Sequence, residues 1–479
     1  MEITKSQKYL FLLSVFFSGF YVLLIEIIGT KFFSPFFGTT IFVWSSLIVS
    51  TLGSLTIGYW LGAKSLLKTN TGLDVFYKTL LKASLASSLI PLESKYLYLL
   101  NPLGLKLAPL IGAFIVFTPA LTFLAIATTI GVDIYGKIKK STSEAPGFIF
   151  ALSTLGSISG ALITVFIFIP LFSISLTLIG FSLIFAILNS LGLSLFKKNL
   201  YVNIFVLLIA SILFLQLSFI SVEKNIFSAQ SFYGEVTVKN TDSFGKCMFV
   251  DRVIQGCDYS KNKLALSLFH KLLTPTNSFT AKQQRVLFMG LGVGVGPMIL
   301  LEESSNPFLE ISAVEIDPVI LKVAVDYFGL DKDKIKIHIE DARTFLKRND
   351  TKYDLIVMDL YKGASTDPSL WSQEMFQEIN KSLASDGVLS MNIPQIDLEG
   401  NELTHDINTT IKHTFPFVNM LSIPGTFNLV LYASQKPLAK NLGDESQDLG
   451  RLITDDHNWV EQKYANTAIE IISLSQSIK

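Results

Sequence analysis

Up to residue 220 the chain is built from runs of about 20 predominantly apolar residues, the length an α-helix needs to cross the hydrocarbon core of a bilayer. The runs fall at 9–28, 41–63, 107–132, 147–171, 173–196 and 201–220. A weaker one at 77–92 carries Lys78 and Lys82 near one end. Charge follows the same division. Of 39 acidic residues, six precede residue 221, and the first arginine is Arg252. The sequence therefore predicts a multi-pass α-helical membrane domain over residues 1–222 with seven spans, the third being the weakest. The first run is too long for a cleaved signal peptide, and further spans follow it.

Lys5, Lys8, Lys64, Lys68, Lys137, Lys139, Lys140, Lys197 and Lys198 all fall on one side if seven spans are real. The tendency of lysine to stay cytoplasmic then puts the N-terminus inside and the second half of the chain outside. The nucleotide-type ligand argued below is made inside the cell. Its supply is a requirement, so the globular half is expected in the cytoplasm although the lysines argue the opposite. Glu26 lies within the first run, where a carboxylate is costly. It sits near the headgroups at a helix end, pairs with a residue such as Lys31, or serves a solute.

The remaining composition narrows the function classes. Lysine plus arginine balance aspartate plus glutamate at 39 each, so no basic field recruits nucleic acid. Cys247 and Cys257 are expected to be two ordinary thiols rather than a disulfide. The five histidines lack metal-ligand spacing, so no metal site is expected.

The second half reads as three parts. Residues 223–284 form a small antiparallel β lead-in with a helix near 262–273. Alternation at 231–238 and the short runs 247–251 and 253–255 give its strands, with a turn at 240–245. Residues 285–435 alternate strand and helix. Strands end near Gly290, Glu315, His338, Asp359 and Asn392, and helices fall near 297–303, 318–328, 342–347 and 372–383. That alternation predicts a doubly wound, Rossmann-like α/β domain. A helix near 405–414 and strands near 417–423 and 428–433 add an antiparallel edge. Residues 436–479 form a C-terminal tail with a helix.

The first, second and fourth strands end in glycine or a carboxylate and Glu340-Asp341 follows the third, where parallel sheets place chemistry. Gly290, Gly292 and Gly294 follow the first strand and open a helix, which lets backbone N–H groups approach a ligand closely. Glu315 ends the next strand, where an acidic side chain accepts ribose hydroxyls. Asp341 follows the third strand and either accepts from an adenine amino group or caps a helix. The loop lacks the lysine and Ser/Thr of a triphosphate-binding loop, and a third acidic position suits a single nucleoside better than a dinucleotide. Asp359 ends the fourth strand as a candidate general base or as a loop cap. Tyr361 and Lys362 follow it and are expected to line the same mouth.

Tyr233, Val253-Ile-Gln255, the glycine loop, Glu315-Ile-Asp317, Asp341 and the 353–359 strand together resemble the spermidine synthase (polyamine aminopropyltransferase) family. The apolar half, through Ser18-Gly-Phe20, Glu26-Ile, Phe37-Gly38-Thr39 and Leu55-Thr-Ile-Gly58, resembles a membrane-embedded branch of that family, as does Thr454-Asp455-Asp456. The resemblance implies transfer of an aminopropyl group from decarboxylated S-adenosylmethionine to a small-molecule amine. It implies that Gln255 and Glu315 hold the nucleoside, Asp341 the adenine, and that Asp359 positions and deprotonates the amine. It also implies a homodimer, the common assembly of the soluble members.

The departures from the family pattern cluster on the amine side. Val293 stands where the family carries an aspartate for the aminopropyl ammonium, and Gly234 where a glutamine follows the lead-in tyrosine. Ser260 and Lys261 replace an acidic pair, Leu264 and Leu266 replace a Tyr and a Glu, and Lys362 replaces a second aspartate. A cationic diamine beside Lys362 meets like charge. Two further readings stand beside aminopropyl transfer: a methyltransferase using intact S-adenosylmethionine with a non-polyamine acceptor, and a membrane transporter or sensor whose globular half binds a nucleoside without catalysis.

Overall fold

The computed structural model describes residues 3–38, 40–67, 72–141, 143–195, 225–260, 262–278, 283–361, 366–394, 402–424, 428–439, 442–445 and 450–460. The expected span at 201–220, the helix of the tail, Lys261 and Lys362 lie outside them. The chain separates into two compact units, Met1–Lys224 and Asn225–Lys479.

The first unit is a helical bundle of α1 (Lys5–Phe37), α2 (Ile41–Leu66), α3 (Leu73–Glu93), α4 (Gly104–Lys139), α5 (Glu144–Ile163, continued to Leu171 through a π-helical turn) and α6 (Ile174–Ser194). Among the described residues, five of these are long and apolar enough to cross a membrane, α3 being the exception. Yet α3 is a buried member of the bundle, with Tyr77, Leu80, Ser84, Ser87 and Ile90 fully enclosed. Its two lysines lie in its first half, where Lys78 pairs with Asp74 at 3.6 Å and Lys82 lies over the Phe123 ring at 5.9 Å. Helices meet through glycine at some crossings and through aromatic side chains at others, as where Phe20 stacks on Phe181 at 5.0 Å. A Cβ at Gly156 would fall 1.9 Å from the Phe16 carbonyl oxygen, which brings α5 against α1 at backbone contact. Tyr21, Ser87 and Ser182 join α1, α3 and α6 in a closed hydroxyl triangle, with Tyr21 Oη 2.5 Å from both serines. Glu26 is half-buried and does not sit at a helix end, since α1 continues to Phe37.

The second unit opens with an antiparallel sheet of β1 (Phe227–Gln230), β2 (Glu235–Thr241), β3 (Gly245–Val250) and β4 (Val253–Cys257), in that spatial order. Asp251 and Arg252 join β3 to β4 with φ of 49° and 68°, the two left-handed positions of a tight hairpin turn. The two cysteines are a disulfide, Cys247–Cys257, which corrects the expectation of separate thiols. The hairpin register puts them opposite each other in neighbouring strands. Ten residues of sequence separation do not reveal that register, because a bulge shifts it.

Helix α7 (Lys263–Leu273) leads into the main sheet. Its strands are β5 (Gln284–Met289), β6 (Leu309–Glu315), β7 (Lys336–Ile339), β8 (Tyr353–Met358), β9 (Leu383–Pro394), β10 (Phe417–Ser422), β11 (Asn428–Ser434) and β12 (Asp444–Glu445), in the order β12-β10-β11-β9-β8-β5-β6-β7. From β9 to β7 all neighbours are parallel, and β11, β10 and β12 add an antiparallel edge. Helices α8 (Val295–Glu303), α9 (Pro318–Phe328), α10 (Ala342–Arg348), α11 (Gln373–Ser382) and α12 (Glu402–Lys412) make the crossovers and cover the faces. One core lies on each side: Val286, Phe288, Ile311, Leu355 and Val357 face one, while Leu287, Met289, Ile356, Met358 and Phe376 face the other. Strand order reverses between β5 and β8, so a crevice opens at their C-terminal ends, the usual ligand position in such sheets.

Candidate active site at the sheet switch point

The glycine loop leaves β5 at this crevice. Gly290, Gly292 and Gly294 have φ of 93°, 55° and 85°, a backbone that side chains rarely adopt. At Gly290 the requirement is also steric, because a Cβ would lie 2.2 Å from the carbonyl oxygen of Asp359. The loop closes through Gly294 N–H to the Leu291 carbonyl at 2.9 Å, and Gly294 then caps α8.

Glu315 ends β6 beside the loop and is almost fully buried. Its Oε2 accepts from Leu291 N–H at 3.1 Å and its Oε1 from Asp317 N–H at 2.9 Å. Burial pushes its carboxyl above the usual carboxylate range, while those two N–H groups pull it back down. Asp317 caps α9 through Oδ1, and its buried Oδ2 has no partner. Asp341 is exposed and caps α10, its Oδ1 accepting from Thr344 N–H at 2.8 Å. The cap and a ligand contact are compatible, since a carboxylate has lone pairs for both. Tyr233 faces this group from the lead-in sheet. Burial raises its phenol, and the charges of Asp317, Asp341 and Glu315 raise it further.

Asp359 follows β8, held by its N–H to the Met289 carbonyl at 3.0 Å. Desolvation pushes its carboxyl up, against a hydrogen bond from Asn392 that lowers it. Asn392 Nδ2 donates to Asp359 Oδ1 at 3.0 Å, and Asn392 Oδ1 is buried without a partner. Tyr361 Oη donates to the Asn392 backbone carbonyl at 2.8 Å, so its ring is anchored beside Asp359. Asn392 is the site residue that sequence reasoning missed. Its only signal was its place at the end of β9, next to the strand that delivers Asp359.

Gln255 approaches the loop from β4. In the β3–β4 ladder Phe249 faces Ile254 and Met248 faces Gly256, so Gln255 is the extra, bulged residue. Its backbone carbonyl oxygen lies 3.6 Å from where a Cβ on Gly292 would be, while its side-chain Nε2 donates to the Ile254 carbonyl at 3.2 Å. The next residue, Gly256, lies against Val293: a Cβ there would be 2.7 Å from Val293 Cγ2. Val293 is thus an apolar plug in the core, 2% exposed. At Gly234 a Cβ would lie 2.8 Å from Val250 Cγ1 and 2.9 Å from Asp251 Oδ1, so a larger residue there requires those side chains to shift. Of the residues expected at the site, the glycines, Glu315, Asp359 and Tyr361 surround the crevice, with Gln255 against the loop and Asp341 at the β7 end. Among the described residues no group of three or more His, Cys, Asp or Glu is arranged to hold a metal ion.

Residues 275–431 match the spermine/spermidine synthase domain. The chain is 28% identical over 212 residues to a polyamine aminopropyltransferase of Alkaliphilus metalliredigens, covering 43% of this chain and 72% of the relative. It is 28% identical over 282 residues to one from Clostridioides difficile, covering 54% and 92%. An N-terminal histidine N-methyltransferase of Emericella nidulans is 35% identical over 136 residues, covering 27% of this chain and 23% of that protein. The domain match and these relatives support a spermidine synthase-like transferase as the reading of the second unit.

Proposed function

We propose that the chain is a membrane-bound aminopropyltransferase that moves the aminopropyl group of decarboxylated S-adenosylmethionine to an amine. The observation that carries this reading is the pairing of a buried Glu315 beside the glycine loop with an Asp359 held by Asn392 across the same crevice. Glu315 accepts the ribose hydroxyls, Asp341 the adenine amino group, and Gln255 closes the loop side. The acceptor nitrogen attacks the carbon bonded to sulfur, the C–S bond breaks, and methylthioadenosine leaves as a neutral thioether. Asp359 orients the amine in line and takes its proton. The sulfonium activates the donor, so the chain's task is alignment and proton removal.

A second reading has its own observation. Val293 fills with hydrocarbon the loop position at which the family holds an ammonium, and Gly234 is packed against Val250 and Asp251 where the family has a glutamine. That favours a donor whose ammonium is offset by its own carboxylate, which a loop aspartate would repel, namely S-adenosylmethionine, and a methyl transfer to a non-polyamine acceptor. The methyltransferase relative is consistent with it. Calorimetry of the purified chain with S-adenosylmethionine, its decarboxylated form and methylthioadenosine separates the two. Preference for the decarboxylated form is expected, and equal binding of both sulfonium compounds would overturn aminopropyl transfer.

The first unit then anchors the transferase in the cell membrane as a multi-pass domain, with the transferase unit on the cytoplasmic face where the adenosyl donor is made. A reporter fused after residue 460 that is active only outside the cytoplasm would refute that placement.

A further inference from the structure

We propose that the Cys247–Cys257 disulfide is a redox-sensitive register lock that holds Gln255 against the nucleoside loop. The inference rests on the reading of Gln255 as a nucleoside contact. The β3–β4 hairpin is pinned at one end by its turn, with Val250 facing Val253. It is pinned at the other end by the disulfide. Between these two fixed points β4 has one residue more than β3, and that residue is Gln255. Without the bulge, the same turn would pair Gln255 with Met248, Gly256 with Cys247, and Cys257 with Lys246. A disulfide between residues 247 and 257 forbids that pairing. Side chains in a strand alternate faces, so a slip of one residue changes the face of everything beyond it. Gly256 would leave Val293, and Gln255 would leave the glycine loop.

The lock is placed where it can be opened. Among the described strands β4 pairs only with β3, so it is an edge strand, and Cys257 is its last residue. Both sulfurs are buried, but the cluster around them is small: Phe249, with Phe244 and Ile254 only partly buried. Fraying of an edge-strand end needs little energy compared with global unfolding. A dithiol then reduces the pair, its own sulfurs becoming a disulfide while Cys247 and Cys257 become two thiols. Disulfides in cytoplasmic proteins, where they occur, are commonly of this responsive kind.

The test uses the full chain in detergent and methylthioadenosine as the probe. Five affinities are needed: of the oxidised protein, of the protein reduced by a phosphine or dithiol, of C247A/C257A, and of Gln255→Ala in each of the two redox states. Reduction, or removal of both cysteines, is expected to weaken binding by about tenfold, the size of one lost hydrogen-bonded contact. It is also expected to speed amide exchange at 253–257, and to cause no further loss in Gln255→Ala. If Gln255→Ala leaves the oxidised affinity unchanged, the reading of Gln255 fails. If Gln255→Ala weakens binding but reduction does not, the lock fails while the site stands. Two thiols titrating in the untreated folded protein would also overturn it.

Discussion

Asn392 holds Asp359 through one end of its amide, and the other end is buried without a partner. The hydrogen bond stabilises the carboxylate, against burial that favours the neutral acid. As a general base Asp359 works only when ionised, so the rate is expected to fall as pH drops through its raised pKa. Asn392→Ala removes the group that lowers that pKa, and the acid limb of the pH–rate profile should move to higher pH. An unmoved limb would separate Asn392 from the base.

Asp359→Asn should reduce kcat by about 10²–10⁴-fold, the usual contribution of a positioned base. Its effect on stability should have the opposite sign. A carboxyl whose folded pKa is raised contributes stability below its unfolded pKa and loses it as pH rises through the folded pKa. At neutral pH the ionised Asp359 is therefore a cost, and the amide removes it. Melting curves at neutral pH should show Asp359→Asn at least as stable as the parent. A less stable, equally active variant would mark Asp359 as a structural cap.

Glu315→Gln should weaken nucleoside binding by about 10–100-fold, the value of a hydrogen bond to a charged acceptor. The amide also turns a donor toward Leu291 N–H or Asp317 N–H, both of which now donate to the carboxylate. Because burial raises the Glu315 pKa, affinity in the parent should decline as pH falls through that raised value. Titration calorimetry across acidic pH checks both, and full affinity in Glu315→Gln would sink the assignment.

Gly290→Ala tests the link between the loop and the base. Its Cβ would meet the Asp359 carbonyl oxygen at 2.2 Å, and its φ of 93° is strained for alanine. Backbone strain of this kind costs about 1–3 kcal/mol. The variant should lose both stability and kcat, since β8 must shift to make room. Wild-type kcat would show that Asp359 tolerates displacement.

The parts of this chain that were legible in sequence are those written in local pattern. Apolar runs ending at Gly290, Glu315 and Asp359 gave the parallel strands and their order along the chain. What was not legible depends on register or on spatial neighbours. The disulfide follows from a bulge at Gln255, which no spacing rule reveals. The role of Asn392 follows from β9 lying beside β8. Val293 and Gly234 were visible as departures, but only their contacts show that one is a plug and the other closely packed against Val250 and Asp251. Helix α3 looked doubtful because of Lys78 and Lys82; the Asp74–Lys78 pair is an i,i+4 spacing readable in sequence, but the contact of Lys82 with Phe123 becomes evident only in three dimensions.

Arg343 at the start of α10 ties the C-terminal segment to the domain. Its guanidinium donates to both oxygens of Asp455 at 2.9 and 2.7 Å, to Glu378 Oε2 at 3.1 Å and to the Ser369 carbonyl at 3.2 Å. The segment is also held by Ile453 N–H to Thr410 Oγ1 and by Trp459 Nε1 to Asp406 Oδ2. Arg343→Ala leaves Glu378, only 17% exposed, without its close partner, and should cost on the order of 2–4 kcal/mol. Arg343→Lys restores the charge but not the paired geometry, so it should recover part of the loss. Asp455 supplies a pH signature, because its hydrogen bond from Arg343 holds its pKa below the usual aspartate range. The stability it contributes is present above the unfolded pKa and lost as pH falls through the lowered folded value. Acid melting curves of the parent should therefore lose a component that Arg343→Ala has already lost, so the two curves should converge at low pH. Parallel curves would mean that the Asp455 pairing adds nothing to the attachment of the segment.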